Sequence, residues 1–474
     1  MHKIISVAAI VCAALLTSTV SVNRATANGA VPSCDLTQPT SCSLRDVATN
    51  AGVRIGATLE AAEINDASYS ATLSEHFNAL TPENAMKMYT TEPAPDQWNF
   101  GPADAVVNFA EAHNMEVRGH TLAWAQDTYT PAWVKTIPDA NQLRSVLYDH
   151  IATMMQRYSD RVHRWDVVNE PLQTLGTTES TSVFWTLGSD WIADAFNFAH
   201  SVDPNAELWL NEFGSDWVPG KHEALLEIAR QLVAAGVPIH GIGIQTHRVP
   251  GLDIDEIQLR SQLQDFVDLG LEVAITELDI PVSPTDPTAF TYQANEYAAI
   301  VRSCLAIVGC NEVTTWGVTD ASTWLDTSSP WPTPTRPLLF DNTFQPKPAF
   351  HAVFDEVLLS AHDRIAHPRR TVAVHWNAAE SMRLRTIAAH LGITPSKAQG
   401  VATFLVAYLT GIAGVGTTPV SLPPAGSSAH YTNTWTESDV FVLDSVGHTF
   451  SLNDSDATRF SVYLLDYLLA LGGN

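Results

Sequence analysis

The chain has 474 residues, 45% of them hydrophobic and 16% charged, with 25 Lys plus Arg against 51 Asp plus Glu and a formal net charge of −26. Abundant apolar residues and the absence of a glycine period exclude a disordered or collagen-like chain. The acidic balance excludes nucleic acid or an anionic membrane as the main partner, because phosphates attract clustered Lys and Arg, and it favours a neutral or cationic substrate.

In chain order, Lys3 precedes an apolar run from Ile4 to Leu16, and Ala25-Thr26-Ala27 comes next with the small-x-small pattern that a signal peptidase needs. Residues 1–27 read as a signal peptide removed on export, since the run falls short of the roughly 20 residues that span a bilayer. The expectation is a secreted, extracellular protein that is not held at a membrane once the signal is gone. Cys12 leaves with the signal, and Cys34, Cys42, Cys304 and Cys310 remain. Two short disulfide loops, Cys34–Cys42 and Cys304–Cys310, suggest themselves, with the two other pairings open. Metal binding is the weaker alternative, because no C-x-x-C is present.

From about residue 50 to 350, short β-branched runs alternate with longer amphipathic stretches, the signature of repeated βα units. The strand candidates are 53–59, 79–81, 116–122, 164–169, 207–211, 241–246, 272–276 and 312–316. Helical patterns cover 141–158, 191–200, 221–235, 253–269 and 291–307. The economical reading is an α/β fold, a TIM (β/α)8 barrel over residues 28–360, with its chemistry at the C-terminal ends of the strands.

Nearly all the acidic excess precedes residue 361, and the 361–474 segment is close to neutral. It reads as a smaller C-terminal mixed α/β module of unassigned function. Leu384–Leu409 has a helix, Gly-containing turn, helix cadence, and Asn453-Asp454-Ser455 fits the N-glycosylation pattern.

Two carboxylates stand out. Trp165-Asp166-Val167-Val168-Asn169-Glu170-Pro171 places an acid just past a buried strand, and Ala274-Ile275-Thr276-Glu277-Leu278-Asp279 does the same three strands later. Glutamates at the mouths of strands four and seven of one barrel face a shared cleft. Paired carboxylates are what glycosidic bond cleavage needs: one protonates the leaving oxygen, and the other attacks or activates water.

At these residues the sequence resembles glycoside hydrolase family ten, the retaining endo-β-1,4-xylanases, from about residue 45 to 358. Phe77-Asn78-Ala79-Leu80-Thr81-Pro82-Glu83-Asn84-Ala85-Met86-Lys87 is similar to the family's second-strand signature and Arg118-Gly119-His120-Thr121-Leu122-Ala123-Trp124 to its third. The Asn-Glu-Pro and Thr-Glu-Leu-Asp segments match the fourth and seventh, and Gly241-Ile242-Gly243-Ile244-Gln245-Thr246-His247 the sixth. Trp316-Gly317-Val318-Thr319-Asp320 with Trp324, and Pro337 through Ala349, match the eighth strand and the segment after it. The Cys304–Cys310 spacing is also similar to the family's.

The resemblance implies that Glu170 is the acid/base and Glu277 the nucleophile, with carboxyl groups about 5–5.5 Å apart. It implies that Asn169 donates to the sugar 2-hydroxyl, that His247 orients Glu277, and that Asp279 is the partner of that histidine. Glu83, Asn84 and Lys87 are expected to bind hydroxyls on the non-reducing side, while His120, Trp124, Gln245, Trp316 and Trp324 line the scissile site. Tryptophan faces suit the C–H faces of pyranose rings. Glu83 and Lys87 could equally be a surface i,i+4 ion pair. No metal or organic cofactor is implied, and the expected state is a monomer acting on xylan or xylo-oligosaccharides.

The sequence departs from the family after Trp124, where Ala125-Gln126-Asp127 replaces a histidine and, two residues on, a glutamine, so one hydrogen-bonding partner is missing or shifted. Leu210-Asn211-Glu212-Phe213-Gly214 lacks the aromatic hydroxyl usual on the leaving-group side, and Trp98 stands where phenylalanine is common. Competing readings are a β-1,4-glucanase or mixed-specificity glycosidase, because xylose lacks only the hydroxymethyl group, and a non-catalytic glycan-binding protein on a barrel scaffold.

Overall fold

Eight parallel strands close on themselves in a computed structural model that describes residues 34, 36, 41–283, 285–328 and 333–366. The expected signal peptide and residues 367–474 of the expected C-terminal module lie outside the described residues, while residues 361–366, placed in that module by the sequence, continue the helix Pro348–Ala366. The strands are β1 (Arg54–Leu59), β2 (Ala79–Pro82), β3 (Glu116–Gly119), β4 (Arg164–Asn169), β5 (Glu207–Glu212), β6 (Gly241–Ile244), β7 (Glu272–Leu278) and β8 (Cys310–Thr315). Each pairs in parallel with the next, and β8 closes onto β1 with Arg54 opposite Glu312. A helix follows every strand, from Ala67–His76 after β1 to Pro348–Ala366 after β8, which makes a (β/α)8 barrel. The strands are buried almost throughout, because helices cover the outside and side chains fill the inside.

Element ends differ from the sequence reading where side chains intervene. The pattern predicts a third strand over 116–122, but the ladder breaks after Gly119 and resumes only at Ala123–Trp124. Residues 121 and 122 instead wrap the Asp166 carbonyl, which accepts from Thr121 Oγ1 at 2.8 Å and Leu122 N at 2.9 Å. The sixth strand stops at Ile244 rather than 246, because Thr246 turns to a φ of 58°. The helix expected from 253 starts at Glu256, since the Asp255 carboxylate caps the N–H groups of Ile257 and Gln258.

Inside the barrel, Arg118 on β3 binds Asp166 on β4 at 2.6 Å and reaches Glu312 on β8 at 3.3 Å. The second contact crosses the barrel, since β3 and β8 are not neighbours. Arg164 joins Glu312 and Glu207, and Trp209 packs against both guanidinium groups, 4.7 Å from Arg118 and 4.8 Å from Arg164. Gly119 is required here, because a Cβ would lie 2.2 Å from the Trp165 ring. Both disulfides form as the short loops, Cys34–Cys42 and Cys304–Cys310, each with a Cα separation of 5.2 Å, so the alternative pairings are not taken. Among the described residues no helix is long and apolar enough to cross a membrane, and no cluster of three or more His, Cys, Asp or Glu is arranged to hold a metal.

Candidate active site

Glu170 and Glu277 stand at the C-terminal ends of β4 and β7 in different surroundings. Glu170 is half-buried and takes a φ of 54°, where its N–H donates to the Asn211 carbonyl at 2.9 Å. A non-glycine residue in that region is strained, and such strain collects at functional sites. The Glu170 carboxylate accepts one side-chain hydrogen bond, from Gln245 Nε2 at 3.0 Å. Glu277 is buried and accepts at both oxygens, from Asn211 Nδ2 at 2.6 Å and from His247 Nε2 at 3.1 Å. Burial alone would raise the Glu277 carboxyl. The His247 hydrogen bond and the charges of His120, His247 and Lys87 outweigh it and hold the group below the ordinary carboxylate range.

Amides bridge the two carboxyls. Asn169 Oδ1 accepts from Asn211 Nδ2 at 2.9 Å and from Gln245 Nε2 at 3.3 Å, so a continuous chain runs from Glu277 through Asn211, Asn169 and Gln245 to Glu170. With its oxygen so engaged, Asn169 keeps its Nδ2 as a donor for the cleft. The Asn211 amide is itself oriented, because its Oδ1 accepts from Thr276 at 2.7 Å. Gly243 makes room for it, since a Cβ there would meet Asn211 Oδ1 at 2.2 Å.

His247 lies between two carboxylates, its Nδ1 2.9 Å from Asp279 Oδ2. Burial would lower its pKa, but Asp279 and Glu277 push it up to about 10, so the ring is an imidazolium at neutral pH. Asp279 also accepts from Trp324 Nε1 at 2.8 Å, and the Trp324 ring meets His247 edge-on at 5.2 Å. Trp316 packs edge-on against both His247 and His120. His120 Nδ1 is 2.9 Å from Asp166, which ties the barrel's interior ion network to the site.

On the other flank, Lys87 Nζ donates to Asn84 Oδ1 at 3.1 Å and lies 4.5 Å from the Trp124 ring. The ammonium is buried, which lowers its pKa against the pull of Glu277, Glu83 and Glu170. Glu83 is pushed up to about 7, by burial first and then by Glu60. Thr58 Oγ1 donates to the Glu83 carboxylate at 3.3 Å. Lys87 thus pairs with Asn84, and neither it nor Glu83 is a freely solvated surface group.

Sequence reasoning passed over several neighbours. Asn211 is visible only as a polar residue ending the apolar run Leu208-Trp209-Leu210. Glu60 binds Asn84, Tyr89 donates to Asn84 Oδ1 at 2.6 Å, and the Tyr129 ring stacks on Trp124 at 3.7 Å and 9°. Tyr89 and Tyr129 lie outside the strand-end motifs and leave no local signal, whereas Glu60 directly follows β1 as Glu170 follows β4 and carries the same strand-end signal. Among the departures, Ala125 is buried, and Gln126 donates to the main-chain carbonyls of Leu172 at 3.1 Å and Glu170 at 3.4 Å. Its reach is therefore shifted to the backbone of the Glu170 segment. Phe213 sits 5.9 Å from His247 without a hydroxyl, and Trp98 stacks on Phe100 and His150.

The family model described as Glycosyl hydrolase family 10 matches residues 43–356. The chain is 38% identical over 282 residues to endo-1,4-beta-xylanase 2 of Claviceps purpurea, covering 59% of this chain and 80% of that protein. It is 36% identical to endo-1,4-beta-xylanase 3 of Hypocrea jecorina, covering 60% and 76%. Among solved structures, it resembles native xylanase 10B from Thermotoga maritima with a TM-score of 0.63 and 33% identity, covering 68% of this chain and all of that one. Xylanase 10B from Thermotoga petrophila, solved with xylobiose, matches with the same TM-score at 32% identity, covering 67% and 98%. The chain belongs to glycosyl hydrolase family 10, a family of glycoside hydrolases.

Proposed function

We propose that this protein is an endo-1,4-β-xylanase that cleaves internal xylosidic bonds with retention of anomeric configuration. The observation that carries the reading is the unequal pair: Glu277 is buried, doubly hydrogen-bonded and held ionised, while Glu170 is half-buried with one side-chain donor. An ionised carboxylate fixed by donors is suited to attack a sugar carbon. A carboxyl nearer the open cleft is suited to exchange a proton with the leaving oxygen and then with water.

Glu277 attacks C1 as Glu170 donates its proton to the departing oxygen, giving a glycosyl ester and a Glu170 carboxylate. Glu170 then takes a proton from water, whose oxygen displaces Glu277. Asn169 donates its Nδ2 to the sugar 2-hydroxyl in the oxocarbenium-like transition state, and His247 fixes the line of attack. Lys87, Asn84 and Glu83 bind sugar on the non-reducing flank, with His120, Trp124, Gln245, Trp316 and Trp324 around the scissile bond. Two disulfides fit export to an oxidising compartment, and the acidic barrel domain of residues 28–360 is taken to act on a neutral polysaccharide.

Proton NMR of the first product from xylotetraose tests substrate and stereochemistry together. The β-anomer must appear first; initial release of the α-anomer would overturn retention, and greater turnover on a soluble cellulose derivative would overturn the xylan assignment.

A further inference from the structure

Next to the acid carboxyl lies an ion pair that the mechanism does not use. Glu212, the last residue of β5, and Lys221, the first residue of the following helix (Lys221–Ala234), meet at 3.0 Å, and both side chains are 0% exposed. Lys221 is poorly placed on general grounds. An ammonium in the interior is costly, and the N-terminus of a helix repels a cation. Only a specific partner explains it there.

The pair reaches the segment that carries Glu170. Glu212 Oε2 accepts from Leu172 N at 3.0 Å, two residues past the acid, and Lys221 Nζ donates to the Thr174 carbonyl at 3.1 Å. Glu212 Oε1 takes Lys221 and the Phe213 N–H, the latter at 2.8 Å. Every neighbour of this carboxylate is a donor. Burial pushes the carboxyl up, to about 8, with Lys221 opposing the rise and the charge of Glu170 adding to it; the donors around it, Leu172 N, Phe213 N and Lys221 Nζ, nonetheless leave a proton no acceptor, so the geometry is that of the ionised form.

We propose that Glu212 and Lys221 are positioning residues for the acid/base carboxyl: one buried ion pair pins residues 172 and 174 and thereby fixes where Glu170 meets the leaving oxygen. The proposal rests on the reading of Glu170 as the acid. An amide at 212 cannot replace the carboxylate, because its NH2 must face the Leu172 N–H or the Lys221 ammonium, a donor against a donor.

The test compares kcat/KM on two substrates for Glu212→Gln and Lys221→Met. Xylotetraose leaves as a sugar alkoxide and needs the acid; 2,4-dinitrophenyl β-xylobioside leaves as a stable phenolate and does not. The expected result is a fall of about tenfold or more on xylotetraose, a part of the 10²–10⁴ that a positioned general acid contributes, with less than about a threefold change on the aryl glycoside. Should Glu212→Gln fail to fold, Lys221→Met carries the test, since removing the ammonium frees the Oε1 side of Glu212 to carry a proton and stay buried. Equal losses on both substrates, or no loss on either, would overturn the proposal. Glu170→Ala must show the same split more strongly. If it does while Lys221→Met does not, the pinning fails and the acid assignment stands; if Glu170→Ala shows no split, both fall.

Discussion

Asn211 donates to Glu277 at 2.6 Å, and its own carbonyl is held by Thr276 at 2.7 Å, so the amide can present only its nitrogen to the carboxylate. The same nitrogen reaches Asn169 at 2.9 Å. One side chain therefore sets both the nucleophile's position and the amide that faces the sugar. Hydrogen bonds to charged groups contribute about 1.5–3 kcal/mol, so Asn211→Ala is expected to lower kcat on xylotetraose by roughly 10- to 100-fold. Steady-state kinetics check this, with KM moving by less than about threefold because the lost bond acts on the reacting carbon's attacker. Gly243→Ala should reproduce much of the loss by driving a methyl into Asn211 Oδ1.

The His247 imidazolium gives the protein a signed pH dependence. Its folded pKa, about 10, lies above the unfolded value near 6.5. The stabilisation it contributes is fully present below about pH 6.5 and is lost as pH rises through 10. Glu277 works in the opposite sense, since its depressed pKa contributes stability above the unfolded value near 4.5 that is lost as pH falls through the folded one. Melting temperatures from pH 5 to 10.5 should therefore decline on the alkaline side, and His247→Gln should flatten that decline. Asp279→Asn should move the alkaline fall in melting temperature to lower pH, because the histidine loses its nearer anion.

Asp166 holds Arg118 and His120 together inside the barrel, all three buried. Asp166→Asn leaves Glu312, at 3.3 Å, as the one carboxylate paired with Arg118 among the described residues and removes the anion that orients His120. Breaking a buried pair on one side typically destabilises by about 3–5 kcal/mol. Urea denaturation should show a loss of that size, with reduced activity at temperatures where the variant remains folded.

Trp124 is enclosed on two sides, by the Lys87 ammonium at 4.5 Å and by the Tyr129 ring at 3.7 Å. Tyr129 is 42% exposed, so it extends the aromatic surface toward solvent. A stacked aromatic pair is worth about 0.5–1.5 kcal/mol, and Tyr129→Ala is expected to raise KM for xylotetraose about two- to tenfold with kcat little changed. Tyr129→Phe should restore it.

Much of this architecture is legible from pattern. Alternation of β-branched and amphipathic runs locates all eight strands, because strands enclosed on both faces read as apolar blocks. Glu170 and Glu277 are legible because each directly follows or ends such a block. The break after Gly119 is not, since it depends on Asp166, a residue 46 positions from His120 in sequence that captures the 120–122 segment through space. Asn211, Tyr129 and Lys221 are hidden for the same reason, although Glu212, the last residue of β5, meets the strand-end rule that marks Glu170 and Glu277. Each owes its place to partners on other strands or loops, and their own neighbours in sequence carry no motif for it.

The most direct measurement is to trap the glycosyl ester with an activated 2-deoxy-2-fluoro-xylobioside and sequence the labelled peptide by mass spectrometry. The fluorine slows both steps and the good leaving group speeds the first, so the ester accumulates. The label should sit on Glu277, with turnover of xylan stopped in step with labelling. A label on any other residue, or none while xylan hydrolysis proceeds in the untreated protein, would contradict the assignment of Glu277 as nucleophile.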